Sequence, residues 1–345
     1  MFAIPLDRLG DLFAGIAQGS TLYVPMDRGG QADFGIWTPE SSASLNYLNT
    51  ARSVKDFFLP QTENIAGFKC EGNNISITPN REAPLPFVVF GARGCDVRAL
   101  DALDKVFLSD PADAFYKARR ENGTIISLVC AEPEETCFCG AFGIDAADPP
   151  GDVVTGIAGE LLFWEAKTPA GEALTDKVKG ILAEAGPDGE VCAEKCREAA
   201  RIAMKELPLA ELSLKGFDDP DLMETFNSRL WGKLSQSCIG CGTCTYVCPT
   251  CHCYDIRDFD TGHEIKRFRC WDSCMYSDFT LMAHGNPRKS QLERFRQRFM
   301  HKLVYFPDNN DGIYACVGCG RCLSKCPVSM NIVRVIKESG GKADV

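Results

Sequence analysis

Apolar positions in the first half of the chain follow two different periods. Leu9, Leu12, Phe13 and Ile16 recur at three- and four-residue intervals, which predicts an amphipathic helix, and STLYVPM just after it reads as a short strand. PLPFVVFG (84–91) and GTIISLVC (123–130) are continuous apolar runs of strand length, and ELLFWEAK (160–167) predicts a third strand. DVRALDALDKVFL (96–108) has helical spacing, with Asp96 placed as its N-cap. Helical patterns follow around 172–184 and 191–206, and the second carries Cys192 and Cys196 one turn apart. ELPLAELSLKGFDDPDL (206–222) reads as a connection between domains, and METFNSRLWGKLSQ beyond it as a helix. In RKSQLERFRQRFMHKLV, Leu292, Phe295, Phe299 and Leu303 share one helical face. The expectation is an α+β protein: a mixed α/β domain over 1–215, then a mostly helical domain over 216–345 with a long insertion at 249–315.

A length of 345 residues suits two domains that each bury a core. With 47 acidic against 37 basic side chains the net charge is −10, which argues against nucleic acid as the main partner. The first twenty residues lack a basic n-region ahead of an apolar core, and no stretch approaches the ~18 uninterrupted apolar residues of a membrane span. The composition therefore reads as a cytoplasmic protein with no membrane contact. Cysteine changes the picture. There are 19 cysteines, an odd number, and they gather in C-x-x-C clusters rather than the spread spacing of a disulfide framework.

CIGCGTCTYVCP (238–249) and CVGCGRCLSKCP (316–327) form an internal repeat of C-x-x-C-x-x-C-x-x-x-C-P, the ferredoxin pattern for a 4Fe–4S cluster. Three thiolates two residues apart let one tight loop wrap three irons of a cubane. Gly240, Gly242, Gly318 and Gly320 suit such a loop. The fourth cysteine, followed by proline, ligates the other cluster. One cluster is therefore assigned to Cys238, Cys241, Cys244 and Cys326, and the second to Cys316, Cys319, Cys322 and Cys248. Zinc would favour two C-x-x-C pairs instead.

Cys95, Cys130, Cys137 and Cys139 follow two expected strands, whose carboxyl ends converge on one crevice in an α/β sheet. From spacing alone they are a metal site, cluster or zinc, or buried free thiols. Cys251, Cys253, Cys270 and Cys274 either form an additional site, or Cys251 and Cys253 line the wall of the second cluster. Cys192 and Cys196 read as core, Cys70 as an isolated structural residue, and His252, His263, His284 and His301 as exposed histidines without a metal pattern.

VVFGARGCDVRALDALDKVF, DAFYKARRENGTIISLVC, TCFCG, CPTCHCYDIRD, RCWDSC and CVGCGRCLSKCP together resemble the iron–sulfur beta subunits of soluble NiFe sulfhydrogenases, over roughly residues 80–340. They are equally similar to the sister iron–sulfur subunits of anaerobic sulfite reductases. The resemblance implies a third 4Fe–4S cluster on Cys95, Cys130, Cys137 and Cys139. It extends to Cys251, Cys253 and Cys274 but not to Cys270. It further implies an electron-transfer role that connects a catalytic subunit with its own metal to a flavin/NAD(P)H-binding reductase subunit. The alternatives are a sulfur or disulfide reductase using its own cysteines, or a scaffold with structural clusters. No G-x-G-x-x-G follows a strand and no P-loop occurs, so no flavin or nucleotide is expected on this chain. Arg294, Arg296, Arg298 and Lys302 mark the basic helix either as a docking face or as a plain solvated one.

Overall fold

The computed structural model describes all residues except 48, 73, 81–83, 218–220 and 340–345, so part of the expected connection lies outside the described residues. The larger sheet is built from β1 (Phe2–Pro5), β2 (Thr21–Asp27), β3 (Ala32–Ile36), β6 (Phe87–Ala92), β7 (Gly123–Leu128), β8 (Val153–Ala158), β9 (Leu161–Ala166) and β10 (Ala183–Glu184). Its order is β10-β1-β9-β8-β7-β6-β2-β3. β2, β6, β7 and β8 run parallel, with Val88 opposite Thr124 and Ser127 opposite Val154. β6 is buried at every position, as a strand covered on both faces must be.

Helices α1 (Leu9–Ala17), α2 (Lys55–Phe58), α3 (Gly94–Phe107), α4 (Ala114–Asn122), α5 (Pro169–Val178) and α6 (Pro187–Lys205) accompany this sheet. α1 buries Leu9, Leu12, Phe13 and Ile16, the stripe read from the sequence, in one cluster with Val88, Phe90, Ile126 and Trp164. A second core joins Phe58, Val89, Leu100, Leu103 and Tyr116 to Trp271 from the far end of the chain. Cys192 and Cys196 sit in a third, with Phe163 and Val154, and Cys192 Sγ lies 3.4 Å from the Leu161 carbonyl. Cys70 is exposed.

A smaller sheet combines β4 (Thr62–Glu71) and β5 (Asn74–Pro79) with β11 (Tyr254–Asp260) and β12 (Ile265–Trp271), in the order β11-β12-β4-β5. The insertion in the second half is thus partly a β-hairpin, and it pairs antiparallel with a hairpin from the first half. Arg269 on β12 binds Glu63 on β4 and Asp113 at the start of α4, both at 2.6 Å. METFNSRLWGKLSQ forms two short helices, Leu222–Asn227 and Leu230–Ser235, instead of one. The basic segment forms a helix over Gln291–Met300, opened by a capping box between Ser290 and Glu293, and continues as a π turn over His301–Tyr305.

Asp96 does not cap α3. The helix begins at Gly94 with Arg93 in the N-cap position, and Asp96 points across to Arg321 in the second ferredoxin loop, 2.6 Å away and almost fully buried. At the third position of the helix the carboxylate lies in the first turn, yet it serves a distant cation instead of the helix's own amides.

Candidate cluster sites

The two ferredoxin loops adopt the backbone the repeat requires. Gly240, Gly242, Gly318 and Gly320 all have positive φ, between 60° and 76°. At Gly318 the need is also steric, because an added methyl would collide with the Phe138 carbonyl. The Phe138 amide in turn donates to the Gly318 carbonyl at 2.8 Å, which locks the second loop onto the C-x-C segment.

Cys238, Cys241, Cys244 and Cys326 line one cavity with Met275, Phe295 and Arg298. Donors already face its sulfurs: Gln291 Nε2 lies 3.3 Å from Cys238 Sγ, and the Met330 amide 3.2 Å from Cys326 Sγ. Cys241 is the exposed member, beside Ile239, which is 64% exposed. Hydrogen bonding from Thr243 lowers its thiol pKa.

Cys316, Cys319, Cys322 and Cys248 act on one another electrostatically within a buried region. Burial pushes the Cys316 thiol up to about 12, and the Cys322 thiol rises for the same reason. Cys248 goes the other way. It lies against the Cys251 thiol, and Lys302 Nζ is 3.3 Å from its sulfur, with Thr250 Oγ1 at 3.1 Å.

Cys95, Cys130, Cys137 and Cys139 line a third cavity together with Arg93, Met204 and Cys319. Cys95 sits in the first turn of α3, Cys130 just past β7, and Cys139 opens a 3₁₀ turn (Cys139–Phe142). Burial pushes the Cys139 thiol up to about 12. Cys251, Cys253 and Cys274 lie beside Cys248, at the base of the β11–β12 hairpin, where the Asp272 amide donates to the Cys253 carbonyl at 2.9 Å. Cys270 stands apart on β12, paired in register with Asp255.

Raised thiol pKa values alone would describe inert buried cysteines. The neighbouring cations argue otherwise. Among the described residues the buried cationic side chains are Lys55, Arg93, Arg269, Arg298, Lys302 and Arg321. Arg269 and Arg321 have carboxylate partners, and the other four have none within ion-pair distance. All four lie at cysteine sites. Lys302 contacts Cys248 and Lys55 the carbonyls of Cys248 and Cys251, while Arg93 lines the third cavity and Arg298 the first. Arg93 and Arg298 each keep a buried Nε without a hydrogen-bond partner, as the carboxylate-paired Arg269 also does. Burying a cation without a counter-charge costs several kcal/mol, only partly offset by the neutral acceptors around Lys55, Arg93 and Lys302, so an anion beside these four would be stabilising. Iron–sulfur clusters on thiolates are anionic and fit that role. Among the described residues no three His, Cys, Asp or Glu side chains converge as ligands of a single metal ion. A cubane instead takes its thiolates spread around four irons.

The basic helix is therefore not a free face. Arg298 and Lys302 are only 3% and 4% exposed and point inward, because Phe295, Phe299 and Leu303 on the same side are core. Arg296 stacks over Phe226 at 3.5 Å. Nor are all the histidines exposed. His252 and His301 meet ring to ring at 5.5 Å beside Phe306, and burial lowers them to about 4 and about 3. Four-residue spacing from Arg298 to Lys302 was the available signal for a shared inward face; the partners were not readable.

Comparison with known proteins agrees with this geometry. Residues 237–330 match the 4Fe–4S dicluster domain. The chain is 32% identical over 309 residues to sulfhydrogenase 2 subunit beta of Pyrococcus furiosus, covering 86% of this chain and 85% of that protein. The chain belongs to the sulfhydrogenase beta-subunit family. The family and the dicluster match make it an iron–sulfur protein of electron transport and oxidoreduction. No solved structure matches. Among the described residues no helix is long and apolar enough to cross a membrane.

Proposed function

We propose that this family member is an electron-relay subunit. It would pass single electrons between a catalytic subunit of hydrogenase, sulfite reductase or heterodisulfide-reductase type and a flavin-bearing NAD(P)H subunit, without binding flavin or nucleotide itself. Cys238, Cys241, Cys244 and Cys326 hold the first 4Fe–4S cluster, Cys316, Cys319, Cys322 and Cys248 the second, and Cys95, Cys130, Cys137 and Cys139 a third. Cys251, Cys253 and Cys274 form the wall of the second site. When bound, each cluster supplies a one-electron couple.

The observation that carries this reading is the contiguity of the three cysteine sites. Arg298 lines the first cavity and acts on Cys322 of the second set, and Cys319 of the second set lines the third cavity. The row begins at the exposed Cys241 and runs inward. The protein supplies the thiolates, the cations that offset their charge and the apolar packing that keeps water out.

Anaerobic pull-down of the native chain, with bound subunits identified by mass spectrometry, tests the reading. A flavoprotein is expected together with a metal-containing catalytic subunit. A chain that purified alone and reduced polysulfide or a disulfide with a low-potential dye would overturn it. Iron content should be about twelve atoms per chain, falling to about eight in Cys137→Ser. About eight in both would remove the third cluster.

A further inference from the structure

The acid-free cations are not shared evenly among the three sites. The second set has two ammonium groups. Lys302 Nζ lies 3.3 Å from Cys248 Sγ, and is held there by Thr250 Oγ1 at 3.0 Å and the Ala315 carbonyl at 2.7 Å. Lys55 Nζ donates to the carbonyls of Cys248 and Cys251 at 2.9 and 3.0 Å, and packs over the Trp271 ring at 3.5 Å. The first set has neutral donors on Cys238 and Cys326, shares Arg298 with the second, and meets water at Cys241. At the third set Arg93 is opposed by the carboxylates of Asp96 and Glu134, both of which act on Cys130. Lys302 also stands on the π turn His301–Tyr305, a local deviation of the kind that concentrates at functional sites.

Reduction adds one negative charge to a thiolate-held cluster. A fixed cation in a water-poor interior stabilises the reduced form more than the oxidised one, whereas exposure to water screens the effect. We infer that Lys302, assisted by Lys55, holds the second cluster at the highest potential of the three, so that an electron entering the chain rests there between partners. The inference depends on the ligand sets proposed above.

The test is an anaerobic redox titration of the cluster-loaded full chain, followed by electron paramagnetic resonance. In Lys302→Gln, with iron and sulfide content unchanged, the highest-potential couple is expected to lose at least a factor of ten in its reduced-to-oxidised ratio at fixed potential, ~59 mV for one electron. The other couples should move less, and Lys302→Arg should stay close to wild type. A fully loaded Lys302→Gln whose couples are all unmoved, or whose lowest couple alone moves, overturns the inference. Should Lys302→Gln lose iron, Lys55→Gln takes its place, since that ammonium touches only carbonyls and a ring. It is expected to shift the same couple in the same direction, and no shift overturns the proposal. Cys248→Ser identifies the couple. If it changes neither iron content nor any signal, the failure lies in the ligand assignment and not in Lys302.

Discussion

Replacing Arg321 by methionine tests whether the two halves are joined by charge. Arg321 sits between Cys319 and Cys322, and its guanidinium meets the Asp96 carboxylate at 2.6 and 2.9 Å. Its remaining donors reach the Thr50 carbonyl and hydroxyl, each at 2.9 Å, and both charged side chains are at most 3% exposed. Removing one partner of such a pair leaves an uncompensated buried charge and costs about 3–5 kcal/mol. With a guanidinium m-value of roughly 5 kcal/mol/M, the unfolding midpoint should fall by about 0.6–1 M. Arg321→Met/Asp96→Leu removes both charges and should recover much of the loss, giving a coupling energy at the upper end of the range for contacting residues, about 3 kcal/mol. Anaerobic denaturant unfolding followed by circular dichroism measures both. Iron loss should affect the second and third sites first, since Asp96 directly follows Cys95 in the chain. A cost below about 1 kcal/mol for Arg321→Met, or a double variant as unstable as the sum of the singles, would refute the reasoning.

Three further outcomes are expected. His252 and His301 are held neutral, at about 4 and about 3, below their unfolded value, so the unfolded chain binds more protons as pH falls. Stability contributed by the pair should therefore be intact above about pH 6.5 and decline toward pH 4, by about 2 kcal/mol per histidine at pH 5. His301→Leu should halve that decline in thermal midpoints taken at pH 7.5 and pH 5. Gly318→Ala forces a methyl against the Phe138 carbonyl at positive φ, and should lower iron content at the second and third sites while sparing the first. Cys270→Ser should leave iron content and cluster spectra unchanged, since Cys270 lies on β12 away from the thiols beside Cys248.

What the sequence disclosed was local. The ferredoxin repeat is a chemical pattern in which spacing alone implies the loop, and the positive φ at its glycines followed. Buried strands such as Phe87–Ala92 were legible because a strand covered on both faces has no polar positions to blur it. β4, β5, β11 and β12 were missed because they carry mixed polar faces, and the β4–β12 pairing joins segments about two hundred residues apart. The same limit explains Asp96. Its position near a helix start suggested a cap, and only the fold reveals Arg321, 225 residues away, as its partner.

Charge in the interior separates the roles that sequence could not. Arg269 and Arg321 meet carboxylates and bridge the first half to the second, so their charge is spent on structure. Lys55, Arg93, Arg298 and Lys302 meet none, and all four face cysteines. A protein that buries cations without acids gains stability when an anion arrives. Cluster assembly should therefore stabilise the fold, because until then these cations meet only neutral groups and thiols. On the inference drawn above, the charges that favour the clusters would also set their potentials, so stability and electron flow would depend on one set of residues.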